Sequence, residues 1–299
     1  MENINKQIAA ASGIFAIGAD LPVSRIGFGA MRLTGDGIWG PPRDKDEAIT
    51  VLKRTLDLGI NLIDTAEAYG PEINESLIAE ALYPYPKDLV IATKGGLLRP
   101  GPNQFQPDGR PKRLRQDLEG SLRRLRVDHI DLYQLHYPDP KVPFEDSVGE
   151  IARMRTEGKI RHVGLSNVTI DQLKAAQKLV PIVTVQNHYN LEQPQALGMD
   201  IQQTAALIDL CARENIGFIP WHPRSVGKLA RPEGILDQIA RRYNAQPGQI
   251  ALAWLLQRSP TILPIPGTAS IKHLEENVEA TRIRLSQDEF EEIRRVAHA

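Results

Sequence analysis

Short β-branched runs alternate along this chain with longer stretches whose apolar positions recur at three- and four-residue spacing, the pattern of strands joined by crossover helices. The short runs predict strands over 25–30, 61–65, 89–94, 129–136, 162–166, 182–187, 217–221 and 261–266. The longer stretches predict helices over 45–58, 74–82, 113–126, 143–157, 169–179, 204–214, 234–243 with 247–258, and 271–280. Asp44 three residues before Glu47, and Ser270 with Glu275 in the following turn, read as helix caps with dipole-favoured acids. Pro143 and Pro247 suit first-turn positions, and Gly59, Gly158 and Gly217 read as helix stops.

Eight such units close most simply into an α/β fold of the (β/α)8 TIM-barrel type, in which right-handed crossovers bring every strand's C-terminal end to one face. The rival is a doubly wound open sheet. Its dinucleotide fingerprint is missing, since the nearest candidate, Gly27-Phe28-Gly29-Ala30-Met31-Arg32, lacks the third glycine. Two apolar runs around Gly18-Ala19-Asp20-Leu21-Pro22 predict an N-terminal β-hairpin. An extra C-terminal helix over 286–297, with Phe290, Ile293 and Val296 at helical spacing, is expected to cover the outside. The 299 residues suit one barrel domain over 1–299.

Charge narrows the partners. The 36 Lys and Arg nearly cancel the 37 Asp and Glu, and no basic stripe with interleaved aromatics is present, so a small molecule is expected and nucleic acid is not. The single Cys211 cannot form an intramolecular disulfide, no Cys/His cluster has metal-ligand spacing, and the reading is a cytoplasmic protein without a metal. Cys211 lies in an amphipathic run where a small buried residue is the usual occupant. Residues 8–19 are apolar enough to resemble a signal-peptide core, but Glu2 and Lys6 precede them and a hairpin fits better. No apolar run reaches the length of roughly 18 residues that a membrane span needs.

The expected strand ends are polar: Asp64, Lys94 and His136 close the second, third and fourth strands, and Tyr69 follows five residues after Asp64. Each has an ordinary reading alone. Asp64 could be a loop cap, Tyr69 a rim aromatic, Lys94 a Schiff-base or phosphate-binding lysine, and His136 a satisfied core histidine. Together at one mouth they form a proton-donating group for a carbonyl oxygen. Lys94 is expected to lower the Tyr69 pKa, Asp64 to keep Lys94 charged, and His136 to orient the oxygen.

The stretches Asn61-Leu-Ile-Asp-Thr-Ala-Glu-Ala-Tyr-Gly, Ala92-Thr-Lys, Asp131-Leu-Tyr-Gln-Leu-His, Arg161-His-Val-Gly-Leu-Ser-Asn, Val185-Gln-Asn-His-Tyr-Asn and Leu263-Pro-Ile-Pro-Gly-Thr together resemble the aldo-keto reductase family. The resemblance spans nearly the whole chain. Within that family, the first loop and 251–260 resemble bacterial predicted oxidoreductases and pyridoxal-reductase-like members. It implies reduction of aldehydes and ketones, hydride delivered from a nicotinamide, and a tetrad of Asp64, Tyr69, Lys94 and His136 with Tyr69 as general acid. It implies that Ser166, Asn167 and Gln186 hold the carboxamide; alone, Ser166-Asn167 would be a cap and Gln186 an interior polar residue.

Trp221 stands where many members stack a tyrosine on the nicotinamide, and His222-Pro223-Arg224 replaces the usual Ser-Pro-Leu. Arg224 either reaches the pyrophosphate or is a solvated loop residue. Gly267 and Thr268 occupy positions where well-known members hold the 2′-phosphate with a lysine or arginine; Lys272 and His273 follow, and Glu276 and Asn277 match adenine contacts. NADPH is the expected cofactor and NADH the alternative. Met31, Arg32, Trp39 and the loop 95–111 are expected to shape the substrate pocket. Two other functions are open: a nicotinamide-binding regulatory subunit of low turnover, and a Schiff-base aldolase acting through Lys94. Oligomeric state and natural substrate leave no mark in the sequence.

Overall fold

In the computed structural model, residues 8–192, 199–224 and 227–297 are described. Glu2 and Lys6, ahead of the apolar segment, lie outside them. A 3₁₀ turn at Ala9–Ser12 leads into β1 (Ile14–Ile17) and β2 (Leu21–Ser24), the antiparallel hairpin that the turn residues predict. Seven parallel strands then form one sheet: β3 (Phe28–Gly29), β4 (Leu62–Asp64), β5 (Val90–Gly95), β8 (Ile130–Leu135), β9 (Ile160–Ser166), β10 (Ile182–His188) and β11 (Gly217–Trp221), neighbours in that order. The short pair β6 (Leu97–Leu98) and β7 (Gln106–Pro107) is an antiparallel excursion from the end of β5.

The expected eighth strand is not a regular one. Pro260, Pro264 and Pro266 cannot donate to a ladder, and only single bonds close the seam. Phe218 N donates to Thr261 O at 2.8 Å, Leu263 N to Phe218 O at 2.8 Å, and Gly27 N to Pro264 O at 2.9 Å, linking β11 through 261–264 to the start of β3. The backbones approach closely here: a Cβ on Gly29 would lie 2.6 Å from Ile265 O, and one on Gly267 2.5 Å from Gly29 O. The fold is a (β/α)8 barrel with an irregular eighth stave.

Its helices are α1 (Lys45–Asp57), α2 (Ile73–Leu82), α3 (Pro111–Leu125), α4 (Phe144–Thr156), α5 (Ile170–Gln177), α6 (Ile201–Arg213), α7 (Ile235–Arg242), α8 (Pro247–Arg258), α9 (Ile271–Glu279) and α10 (Gln287–Ala297). Asp44 caps α1 by accepting from Glu47 N at 2.9 Å, as its spacing predicts. Ser270 makes no side-chain cap; Thr268 Oγ1 instead accepts from Ser270 N, and Glu275 pairs with Arg54. Pro247 opens α8, whereas Pro143 sits one residue outside α4. Gly59 and Gly158 take the left-handed conformation after their helices, but Gly217 begins β11, and Asn215 supplies the left-handed turn after α6. Among the described residues no helix is long and apolar enough to cross a membrane.

Side-chain parity separates two cores. Ile91, Tyr133, Val163 and Val185 point outward into the large cluster shared with the helices. Leu62, Val90, Ala92 and Leu132 point into the barrel, where Phe15, Ile17, Leu21 and Val23 of the hairpin pack against them. The hairpin plugs the N-terminal end, latched by Asp20 to Arg161 and His162 at the start of β9. These interior side chains and those of the hairpin form one apolar cluster, so the plug completes the packing of the lumen.

β5 meets charge on both faces. Outward, Thr93 Oγ1 donates at 2.5 Å to Glu75 on α2, which is fully buried and also accepts from Arg124 Nε on α3 at 2.7 Å. Removing one partner would strand the other's charge, so Arg124→Met is expected to cost about 3–5 kcal/mol in denaturant unfolding. The exposed Arg43–Asp36 pair serves as the reference, with Arg43→Met leaving the midpoint within scatter. An Arg124→Met loss no larger than that of Arg43→Met would show that the buried pair is not holding α2 and α3 to β5.

Candidate active site

Period-two alternation continues to the strand ends, where the inward positions become polar. Asp64 follows Leu62, Lys94 follows Ala92, Gln134 follows Leu132 and Gln186 follows Thr184, each two residues on. In register, Asp64 lies beside Ala92, Lys94 beside Gln134, and Gln186 beside Ser166. Gly164 makes room for this layer, since a Cβ there would sit 2.2 Å from Thr184 Oγ1 and 2.9 Å from Gln134 Cγ.

Lys94 is fully buried, and its three donors point to three oxygens: Asp64 Oδ1 at 2.5 Å, Thr65 O at 2.8 Å and Tyr69 Oη at 3.4 Å. Asp64 Oδ2 accepts from Gln186 Nε2 at 2.8 Å and Gln134 Nε2 at 3.2 Å. Tyr69 sits on the turn after β4, its N–H donating to Ala66 O. His136 begins immediately after β8, and its ring meets that of Tyr69 edge-on, 5.8 Å between centroids at 80°. The four residues that the sequence singles out are therefore one contiguous group. Gln134, which the sequence reading passed over, is part of it; its place two residues before His136 on the same strand was the available signal.

Burial sets the proton affinities. It works against the charge on Lys94, but Asp64 and Tyr69 outweigh it and lift the ammonium pKa above the ordinary value. Burial also pushes the Tyr69 phenol up, and Lys94 only partly opposes this. The expected lowering of Tyr69 is thus corrected: desolvation in the closed barrel mouth exceeds the attraction of one ammonium that Asp64 already neutralises. His136 lies well below the ordinary histidine value because it is buried and faces the charges of Lys94 and Arg99. Its imidazole is neutral at physiological pH, and its Nδ1 is buried without a hydrogen-bond partner.

Above this group opens a cleft of about 700 Å³ with Tyr69, His136, Ser166, Asn167, Gln186 and Trp221 among its walls. Asn167 has a left-handed backbone, φ 60°; its Nδ2 donates to His136 O at 3.1 Å and to Ser166 Oγ at 3.0 Å, and its Oδ1 accepts from Trp221 Nε1 at 3.1 Å. One side chain thus ties the ends of β8, β9 and β11 together. Trp221 packs on His188 with 4.3 Å between ring centroids.

Pro223, Arg224 and Gly267 extend the cleft wall. Arg224 is half-buried, with its guanidinium beside Gly248 at the start of α8 and within the field of Glu276. Thr268, Lys272, His273, Glu276 and Asn277 lie farther along, at the start and on the body of α9. Thr268 is buried, while Lys272 and His273 are exposed. Lys272 and Glu276 approach to 4.0 Å, and Asn277 is buried with Nδ2 unpartnered.

At the other end, Met31 and Arg32 line the cleft, joined by Ile38, Leu97, Phe105 and Tyr137. Trp39 does not; it stands outside them with Arg99 6.0 Å from its ring centroid. Phe105 and Leu97 lie in the loop 95–111 that the sequence marks for the pocket, but which of its side chains turn inward depends on the β6–β7 pairing.

Comparison with known proteins places the chain as a whole. The model of the Aldo/keto reductase family matches residues 25–298. An uncharacterized oxidoreductase of Schizosaccharomyces pombe is 52% identical over 94% of this chain and 89% of its own length. Pyridoxine 4-dehydrogenase of Escherichia coli is 41% identical over 93% of this chain and 96% of its own. Among solved structures, the glycerol dehydrogenase from Gluconobacter oxydans superposes with a TM-score of 0.83 at 28% identity, covering 96% of this chain and 95% of that one. The barrel, its polar mouth and these relatives lead to one assignment: the chain belongs to the aldo/keto reductase family of oxidoreductases.

Proposed function

We propose that this protein reduces aldehydes and ketones to alcohols with NADPH, Tyr69 donating the proton. The observation that carries this reading is the placement of Tyr69 Oη, 3.4 Å from the buried Lys94 ammonium and across from the neutral His136. A nicotinamide bound at the mouth supplies a hydride to the carbonyl carbon. The residues do the rest. Tyr69, a phenol protonated at neutral pH and kept so by burial, hands its proton to the carbonyl oxygen. Lys94 offsets the phenolate that this leaves, and Asp64, anchored by Gln186 and Gln134, holds Lys94 charged and aimed. His136, neutral, orients the carbonyl oxygen by hydrogen bonding.

The chain's groups fit the cofactor. Ser166, Asn167 and Gln186 offer amide and hydroxyl groups to a carboxamide, Trp221 a face for the ring, and Arg224 a cation toward the pyrophosphate. The buried, unpartnered Nδ2 of Asn277 fits a donor awaiting adenine. The N-terminal turn of α9, with Ser270 and Lys272, fits a 2′-phosphate. Phe105 and Tyr137 at the cleft, with the relative named for pyridoxine, support a planar aromatic aldehyde of the pyridoxal type as substrate. A Schiff-base role suits Lys94 poorly, since an amine held protonated by Asp64 is not a nucleophile.

Tyr69→Phe should lower turnover about 10²–10⁴-fold while leaving NADPH affinity nearly unchanged, measured by cofactor absorbance and by quenching of tryptophan fluorescence. Normal turnover in that variant would remove the proposed acid. In the same titration NADPH should bind about tenfold more tightly than NADH, and Lys272→Ala should narrow the gap. Equal affinities would take the 2′-phosphate away from α9.

The pH dependence follows from His136. With its folded pKa below the ordinary 6.5, unfolded chains take up the proton first. Its contribution to stability is intact above about pH 6.5 and is lost as pH falls through the folded value. The acid limb of kcat assigned to this imidazole should accordingly lie below pH 6.5. A limb above that value would mean that the cleft raises the His136 pKa instead of lowering it.

A further inference from the structure

Three separate segments meet around the Tyr69 turn. The loop 35–40 is stitched to that turn by Gly40 N donating to Gly70 O at 2.8 Å and Gly70 N to Ile38 O at 3.4 Å. The excursion from β5 meets the same loop, with Asn103 N donating to Gly37 O at 2.9 Å. The contact is close, since a Cβ on Gly37 would lie 2.8 Å from Pro102 Cβ. At the junction stands Arg99, 8% exposed. Its Nε donates to Gln104 O at 2.8 Å, its Nη1 to Ala68 O at 3.2 Å and its Nη2 to Gly37 O at 2.7 Å. Its Cζ lies 4.1 Å from the ring centroid of Phe105, a wall of the cleft. A guanidinium with each nitrogen committed to a different segment is a fixed charge, and this one adjoins the residue before Tyr69.

We propose that Arg99 is a positioning residue for the acid–base pair, clamping the loops around Gly37, Ala68 and Gln104 while aiming a second fixed positive charge at Tyr69 and His136. The inference rests on the assignment of those two as proton donor and orienting group. The clamp keeps the far side of the tyrosine turn from drifting off the Lys94 ammonium: Thr65 and Glu67 tie its start to Lys94, but the Tyr69 side chain itself meets that ammonium only through the long 3.4 Å contact. The charge favours phenolate as the proton leaves and disfavours imidazolium. Tyr69 faces Lys94, Asp64 and Arg99, and His136 faces Lys94 and Arg99; among the described residues the hydrogen-bond acceptors of Arg99 are backbone carbonyls, those of Gln104, Ala68 and Gly37. Asp117, which accepts from Gly96 N and is pushed by burial to about 7, titrates between the His136 and Tyr69 limbs. Variants of Arg99 compared with one another share that background.

The test is the pH profile of kcat for Arg99→Lys and Arg99→Met with NADPH and a broad aromatic aldehyde. Thermal melts and NADPH affinity are followed alongside. Arg99→Met should lower kcat about tenfold or more with NADPH affinity within about twofold of wild type. Both limbs should move to higher pH by about 0.5 unit, because losing a cation raises the proton affinity of phenol and imidazole alike. Arg99→Lys, keeping the charge and three donors, should recover to within about threefold with unmoved limbs. If the Met variant does not fold, Arg99→Gln keeps amide donors without charge and should show the same alkaline shift. Limbs coinciding with wild type in the uncharged variant, or a Lys variant no better than Met, would overturn the proposal. Tyr69→Phe run in parallel separates the cases: wild-type turnover there would defeat the acid assignment itself, whatever Arg99 does.

Discussion

The ion pair between Lys94 and Asp64 is the constraint around which the barrel mouth is organised. Burying two charges costs several kcal/mol for each ion, and a bare pair does not recover that cost. Here every remaining valence is met: Lys94 also donates to Thr65 O, and Asp64 also accepts from Gln186 and Gln134. Four strands, β4, β5, β8 and β10, thereby contribute to one polar layer. None of these groups can shift alone without stranding a buried charge, which gives the mouth its rigidity. A rigid, pre-aimed ammonium is what a phenol needs beside it if it is to lose a proton without solvent rearranging around it.

The same strand shows how a barrel tolerates charge in its wall. Lys94 faces inward to Asp64, and Thr93, one residue earlier, faces outward to the buried Glu75–Arg124 pair. Strand parity keeps the two ion pairs on opposite sides of the sheet. Below the polar layer, Val90, Ala92, Leu62 and Leu132 leave an apolar interior that the hairpin residues Phe15 and Ile17 fill. The plug and the polar mouth are two ends of one lumen, apolar where it is closed and polar where the cleft opens.

Loops then turn a polar mouth into a site with sides. Asn167, strained into the left-handed region, joins His136, Ser166 and Trp221 on the wall assigned to the nicotinamide. Arg99 does the equivalent on the opposite wall with backbone carbonyls of three segments. Between those walls lies the cleft, with Phe105, on which the Arg99 guanidinium stacks, and Tyr137 among its lining.

Much of this was written locally in the chain. Alternating period-two and helical runs placed the strands and helices to within a few residues, because each element must bury one face whatever its neighbours are. The run from Leu62 to Asp64 and the run from Ala92 to Lys94 already showed polar residues at inward positions of strand ends, which is why the four site residues were legible. Other features depended on contacts between distant segments. The run 261–266 read as an eighth regular strand, and only the seam with Phe218 and Gly27 showed that its prolines leave an irregular stave that still closes the barrel. Gly217 read both as a helix stop and as the first residue of a strand, and strand pairing kept only the second role. The direction of the Tyr69 shift needed the depth of burial, a property of the whole mouth, to be weighed against one ammonium. Arg99 carried no periodic or spacing signal, because its three acceptors are 5, 31 and 62 residues away. The sequence by itself determined which side chains face inward and what chemistry they can offer, since parity and propensity are local. The tertiary structure decided distances, burial and therefore charge states, because those depend on which remote segments the closed barrel brings together.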